Sequence, residues 1–247
     1  MNLERMIAVR TSKIIYKDSN TVIKVFDSSY KKADVLNEAL NQARVEEIGL
    51  DIPHIISVTK TNDKWAIVSE HIRGKTLAAL IEENPTKTNE YLDLFVDLQL
   101  KMHQIKPPLL NKLKDKMNRE IEASELNAIT RYELRTRLDT MPRQSQLCHG
   151  DFVPSNIIIT KDSLPYIIDW SHVTNGNVLA DVAKTYILFL INNEVEIAQK
   201  YINLYCAKTN TNIVQIKKWV PLVAASLSVK SKGTKKELLL SLVDNDH

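Results

Sequence analysis

Short β-branched runs punctuate the first 70 residues. Ile7-Ala8-Val9, Lys13-Ile14-Ile15-Tyr16 and Thr21-Val22-Ile23-Lys24-Val25-Phe26 predict three strands, and the turn residues Asp18-Ser19-Asn20 between the last two predict a hairpin. From about Lys32 to Ile48 the pattern changes to helical spacing. Ala33, Leu36, Leu40 and Ala43 fall on one stripe, and Gly49 is placed to cap the C-terminus. Ile55-Ile56-Ser57-Val58 and Trp65-Ala66-Ile67-Val68 predict two more strands around Thr61-Asn62-Asp63. The expected order is three strands, a helix, two strands.

After Gly74 the periodicity is helical. Thr76 is placed to cap Leu77–Ile81, and Asn89 to His103 carries Leu92, Phe95, Leu98 and Met102 on one face. Lys106-Pro107-Pro108 stops that helix. Two charged amphipathic segments follow, roughly Asn111–Ala123 and Glu125–Leu138. Strand signals return at Asn156–Ile159 and Tyr166–Ile168, on either side of the turn Lys161–Pro165, and everything from Asp181 onward reads as helix. The pattern predicts an α+β chain in two lobes. One is a small N-terminal β-sheet lobe with one main helix; the other is a larger, mainly helical C-terminal lobe, joined to it near Glu70–Gly74.

A chain of 247 residues with 44% hydrophobic content can bury a sizeable core. A net charge of only +3 argues against a nucleic-acid partner, and the lysines that thicken toward the end read as a solvated helical surface. Cys148 and Cys206 form neither a spaced metal motif nor a disulfide framework, which suits a reduced compartment. The mixed-charge start, Met1 to Arg5, lacks the apolar stretch of a signal peptide. The most apolar run, Tyr186 to Ile191, is too short to span a bilayer. The expectation is a soluble cytoplasmic protein with no membrane partner.

The residues with chemical capacity gather in His149-Gly150-Asp151-Phe152-Val153-Pro154-Ser155-Asn156 and in Ile167-Ile168-Asp169-Trp170. Phosphoryl transfer needs a carboxylate near the attacking hydroxyl, and hard oxygen ligands that hold Mg²⁺ against the phosphates. Asp151 and Asn156 end one short loop, so a single turn aims both at one volume. The predicted hairpin returns Asp169 beside Asn156. Lys24 lies inside an apolar strand, where an unpaired ammonium is costly, and so calls for an acid or a phosphate.

The pattern H-G-D-x-x-x-x-N followed by I-D-W resembles the aminoglycoside phosphotransferase family, within the superfamily of choline, methylthioribose and eukaryotic-type protein kinases. The resemblance implies a two-lobed protein-kinase-like fold, with a nucleotide-binding lobe at 1–72 and a catalytic and substrate-binding lobe at 73–247. It implies Asp151 as the catalytic aspartate and Asn156 and Asp169 as magnesium ligands. ATP would be the phosphoryl donor, with GTP as the alternative. Lys24 corresponds to the family's phosphate-pairing lysine and Glu38 to its ion-pair partner, with Glu46 and Glu47 as rivals near the helix end.

Ser69 to Gly74 resembles the hinge, where backbone groups of Glu70 and Ile72 address adenine. Val22 shares the side of Lys24 by strand alternation, and with Ile158 and Ile168 would wall the base. The phosphate-covering loop falls at Val9-Arg10-Thr11-Ser12 and departs from the family in having no glycine. The hydroxyls of Thr11 and Ser12, with the Arg10 charge, would replace the close backbone approach that glycine allows. By the same resemblance His149 braces the catalytic loop and His103 is structural. Asp181 is read either as a buried aspartate beneath that loop or as a plain N-cap.

Only Trp170 to Ala180 separates Asp169 from Asp181, too little to dock a peptide strand. The expected acceptor is a hydroxyl of a small molecule: an aminoglycoside, a sugar, an amino-alcohol or a nucleoside-like alcohol. The lysine-rich region after Asp181 suits the polycationic aminoglycosides least. Two other readings compete. A nucleotide-binding pseudokinase or interaction module is favoured by the missing loop glycines and opposed by the intact Lys24, Asp151, Asn156 and Asp169. A metal-dependent hydrolase site built on His149, Asp151, Asp169 and His172 would want more histidines and leaves Lys24 unexplained.

Overall fold

Ser19 adopts φ +51°, which closes a two-residue turn and sets Asp18 opposite Thr21; every later pair of that hairpin follows, including Ile15 opposite Lys24. The computed structural model describes residues 5–10 and 12–244. In chain order the elements are β1 (Arg5–Arg10), β2 (Lys13–Asp18), β3 (Thr21–Phe26), α1 (Lys32–Glu46), β4 (Ile55–Thr61), β5 (Lys64–Glu70) and β6 (Gly74–Thr76). Four helices come next: α2 (Leu77–Glu83), α3 (Thr88–His103), α4 (Leu113–Glu122) and α5 (Ala128–Thr140). Then come β7 (Gln146–Cys148), β8 (Ile157–Thr160), β9 (Pro165–Ile167) and β10 (Thr174–Gly176). The chain continues in α6 (Val178–Ile191), α7 (Val195–Thr209), α8 (Ile213–Lys217), α9 (Val220–Ser228) and α10 (Gly233–Asp244). Among the described residues no helix is long and apolar enough to cross a membrane.

Two compact units result, the first from the described residues of Met1–Pro85 with Pro154–His172, the second from those of Thr86–Val153 with Val173–His247. In the first unit, β1-β2-β3-β5-β4 form an antiparallel sheet. Its odd positions on β3, Ile23 and Val25, bury against Ala66 and Val68 on one face. On the other face Phe26 and Ile67 pack with Val35 and Ala39 of α1. A second small sheet, β6-β8-β9, carries the hairpin that follows Asn156. Gly74 permits its close pairing, because a Cβ there would stand 2.3 Å from the Ile159 carbonyl oxygen.

The α1 stripe is not the expected one. Val35, Glu38, Ala39, Asn41 and Val45 are buried, whereas Leu36 and Leu40 are exposed and Ala33 with them. Periodicity alone selected the leucines. The helix is instead rotated so that the small and β-branched side chains meet the sheet and Glu38 reaches a lysine of β3. Thr76 caps α2 as expected, its Oγ1 accepting the Ala79 N–H at 3.1 Å.

In the second unit, Phe95 of α3 is the centre of an aromatic cluster, with Phe152, Phe189 and Tyr201 at centroid distances of 4.7, 5.9 and 5.7 Å. The buried Gln99 beside it is satisfied by the Tyr201 hydroxyl at 2.7 Å. Phe152 belongs to the loop that follows β7, so this core anchors that loop.

Candidate active site

Strand alternation places Val22 and Lys24 on the face of β3 that α1 covers. Lys24 Nζ lies 2.7 Å from Glu38 Oε1 and 3.1 Å from Asp169 Oδ1. Glu38 is therefore the acid that meets this lysine. Glu46 is occupied elsewhere: it accepts the Ile55 N–H at 2.7 Å and stands 3.4 Å from His54 Nδ1. Glu47 is exposed. Lys13, which sequence reasoning missed, places its Nζ 2.7 Å from the other Glu38 oxygen and 5.2 and 5.6 Å from the ring centroids of Phe26 and Tyr30. One carboxylate thus holds two ammonium groups.

Asp169 is delivered by the β8–β9 hairpin. Ile157 pairs with Ile167, and the Ile168 N–H donates to the Asn156 carbonyl at 2.9 Å, so Asp169 is one residue beyond that pair. Its φ of +63° is left-handed, a conformation that aspartate tolerates better than most side chains. The turn after it, Trp170–His172, packs on α1. Burial alone would lower the Lys24 ammonium's pKa, but Asp169 and Glu38 outweigh it and raise it above the usual lysine value. Burial alone would also raise the Asp169 carboxyl, yet Lys24 and then Lys13 hold it well below the carboxylate range. Both groups are charged at neutral pH.

These residues line a cavity of about 330 Å³ within the first unit. Val22, Ile67, Ile158 and Ile168 supply apolar walls; Lys24, Glu38, Asn156 and Asp169 form the polar part; Glu70, His71 and Ile72 form an edge. The Glu70 N–H donates to His54 O and the His71 N–H to Asn20 O, both at 2.9 Å, which fixes that edge to the sheet. From the β1–β2 hairpin the lining takes Ile7, Ala8 and Ile15. Ser12 instead accepts the Asp27 N–H through its carbonyl at 3.0 Å, and Thr11 lies outside the described residues.

Asp151 belongs to the second unit, in a loop built by Asp181. The Gly150 N–H donates to Asp181 Oδ1 at 2.7 Å and the His149 N–H to Oδ2 at 3.3 Å, while His103 Nε2 stands 3.0 Å from Oδ2. Asp181 is thus the buried aspartate beneath the loop; the α6 N-cap is Asn177, whose Oδ1 accepts the Leu179 N–H. Gly150 takes φ +76°, and the Asp151 N–H donates to His149 Nδ1 at 3.2 Å. Thr185 Oγ1, one turn along α6, donates to the Phe152 carbonyl at 2.9 Å. Burial would push the Asp181 carboxyl up, but His103 and the Gly150 N–H hold it below the usual range. Cys148 is buried with a raised pKa, so its thiol is unsuited to nucleophilic work. His172 is exposed.

Asp169 and Asn156 offer hard oxygen donors of the kind Mg²⁺ takes with phosphate oxygens, one carboxylate and one amide. Beside them Lys24 and Lys13 present positive charge, and the apolar walls suit a base. The residues fit a magnesium nucleotide.

A family model described as "Phosphotransferase enzyme family" matches residues 7–215. No curated protein matches the chain. A choline kinase from Streptococcus pneumoniae is similar in structure, at TM-score 0.67 and 16% identity over 99% of this chain and 92% of that one. So is a thermostable mutant of the aminoglycoside phosphotransferase APH(4)-Ia, at TM-score 0.68 and 13% identity over 97% and 92%. An aminoglycoside 2'-phosphotransferase-IIIa mutant, solved with GDP, gives 0.63 and 15% over 100% and 92%. The fold is α+β and protein-kinase-like, and the chain belongs to the phosphotransferase enzyme family.

Proposed function

We propose that this enzyme moves the terminal phosphoryl group of ATP to a hydroxyl of a small molecule with the help of Mg²⁺. The observation that carries this is the Lys24 ammonium held between Glu38 and Asp169 at one end of an apolar-walled cavity. Structural neighbours solved with ADP, AMP or GDP support a nucleotide at such a place. On this reading Lys24 pairs the donor's phosphates and Glu38 keeps that lysine extended. The Glu70 carbonyl and the Ile72 backbone address the base between Val22, Ile158 and Ile168. Lys13 adds a second ammonium and takes part of the role that a glycine-rich turn would have had, with Ser12 and Thr11 as secondary candidates.

Asn156 and Asp169 would hold Mg²⁺, which when bound offsets charge on the phosphate oxygens. Asp151 orients the acceptor hydroxyl and takes its proton as the new O–P bond forms and the bond to the ADP oxygen breaks. The hydrogen bonds to Asp181, His149 and Thr185 keep the Asp151 loop in one conformation.

The test is a panel of hydroxylated metabolites scored for acceptor-dependent ADP release, run on wild type and on Lys24→Met. At least one acceptor should raise ADP release with wild type and none with the variant. Turnover of protein substrates alone, or a Lys24→Met variant as active as wild type, would contradict the proposal.

A further inference from the structure

The side chains gathered near Asp151 say what the acceptor carries besides its hydroxyl. Asp181 and Thr185 of α6 fasten Gly150 and Phe152, the two neighbours of Asp151, so Lys184, between those anchors on α6, is brought to the Asp151 side of the loop. Its charged neighbours are Asp151, Glu120, Asp181 and Lys230. Helix α9 packs on both α4 and α6, and the Ser226 hydroxyl donates to Glu120 to join α9 to α4. Lys116 precedes Glu120 by one helical turn, and Lys230 follows Ser226 by one turn, so both lysines enter the same cluster.

The balance of charge there is positive. Lys116, Lys184, Lys230 and Arg119 face Glu120, Asp151 and Asp181. Burial and then the neighbouring Lys184 push Lys116 down to about 8, and burial lowers Lys184 as well. Half-buried lysines whose charge is disfavoured gain from an anion and lose from a further cation.

We propose that Lys184 and Lys116 form an anion-binding subsite beside Asp151, and that the acceptor is an alcohol bearing a phosphate or carboxylate group. This rests on Asp151 as the residue that orients the acceptor hydroxyl. The anion would sit between the two ammonium groups, Lys230 would add longer-range attraction, and Glu120, tied down by Ser226, would keep Lys116 in place. Lys184 and Lys116 are then specificity-determining residues and take no proton in the reaction.

The test has two arms. The first compares ADP release with glycerol, glycerol 3-phosphate, glycerate and choline, and extends to other alcohols in sets that differ only in the charged group. Within any set that is turned over, the anionic members should be preferred. Lys184→Met and Lys116→Met should each raise the acceptor KM roughly tenfold, the effect of losing one charge-assisted contact, with the KM for ATP unchanged. Lys184→Arg should keep the preference. The phosphate and carboxylate members separate the two anions.

The second arm needs no turnover: inorganic phosphate is titrated by calorimetry into protein saturated with the Mg²⁺ complex of AMP-PNP. Wild type should bind it several-fold more tightly than either Met variant. Equal phosphate binding by all three proteins, or preference for the neutral or cationic alcohol, would overturn the subsite. Loss of AMP-PNP binding itself would instead count against the phosphotransferase reading beneath it.

Discussion

Glu38 holds Lys13 and Lys24 on separate carboxylate oxygens, each at 2.7 Å, so its loss would leave two ammonium groups beside Asp169 with one carboxylate between them. Removing Lys13 alone is milder. Lys13→Met should weaken binding of a magnesium nucleotide about fivefold, as expected for a partly screened contact near 1 kcal/mol. Lys24→Met should weaken it more and slow transfer. Equal nucleotide affinity in wild type and Lys13→Met, by calorimetry, would assign Lys13 to the fold alone. The Lys24–Glu38 pair was legible because an ammonium in an apolar strand demands an acid, and the family resemblance pointed to Glu38 over Glu46 and Glu47. Lys13 was not. Taking the turn as Asp18-Ser19-Asn20 left the register undefined, and only the two-residue turn at Ser19-Asn20 makes Ile15 the cross-strand partner of Lys24, which sets Lys13 opposite Phe26.

Lys116 gives a pH signature. Its pKa, pushed down to about 8 by burial and by Lys184, lies below the ordinary 10.5, so between those values the unfolded chain binds more protons than the folded one. Stability contributed through this residue therefore rises from pH 8 to 10.5 and carries a penalty below that window. The groups facing it are Lys184 of α6, Lys230 beyond α9, and Glu120 and Arg119 of its own helix. Lys116→Met should be more stable than wild type at pH 7.5, and that advantage should shrink toward pH 10 in urea titrations. A constant difference across the range would remove the titration from the account.

At the scale of elements, α1 shows what periodicity leaves undecided. Two stripes satisfy the helical repeat, Leu36 with Leu40 and Val35 with Ala39 and Val45. The larger residues are not the buried ones. What settles the rotation is the tertiary demand that Glu38 face β3. Leu36→Gln and Leu40→Gln should each change stability by less than about 0.5 kcal/mol, while Val35→Ala should cost about 2 kcal/mol. The reverse ranking in denaturant melts would mean α1 is rotated. The strands β6 and β10 were not legible either, because Gly74-Lys75-Thr76 and Thr174-Asn175-Gly176 carry no apolar run to read.

The catalytic-loop assembly is also an element-level property. Asp181 accepts from two loop N–H groups and meets His103, so Asp181→Ala should destabilise the protein by about 3 kcal/mol through buried donors left without an acceptor. The Asp181 carboxyl is held below its ordinary value. Its contribution is therefore present above the unfolded pKa near 3.8 and is lost as pH falls through the lower folded value. The difference between wild type and Asp181→Ala should narrow in acid. Sequence spacing identified this aspartate only through the family pattern; nothing local separates a loop-supporting carboxylate from an N-cap until Asn177 is seen to hold that position.

For the whole molecule, the N-terminal sheet and the larger helical remainder were readable from the change of period after Gly74, although the first unit runs on to Pro85 and not to residue 72. The return of residues 154–172 to the first unit was readable only as a hairpin of unknown destination. The proposed acceptor subsite was not readable, because Lys116, Lys184 and Lys230 come from α4, α6 and the turn after α9, far apart in sequence. The central claim is that Asp169 belongs to a magnesium-nucleotide site and Asp151 to the transfer step. The most direct measurement is calorimetric titration of AMP-PNP, with and without Mg²⁺, into wild type, Asp151→Asn and Asp169→Asn. Wild type and Asp151→Asn should bind more tightly with Mg²⁺, although Asp151→Asn slows transfer by roughly 10²–10⁴-fold; Asp169→Asn should lose the magnesium dependence. Wild type binding AMP-PNP identically with and without Mg²⁺, or Asp169→Asn retaining the full dependence, would contradict the account.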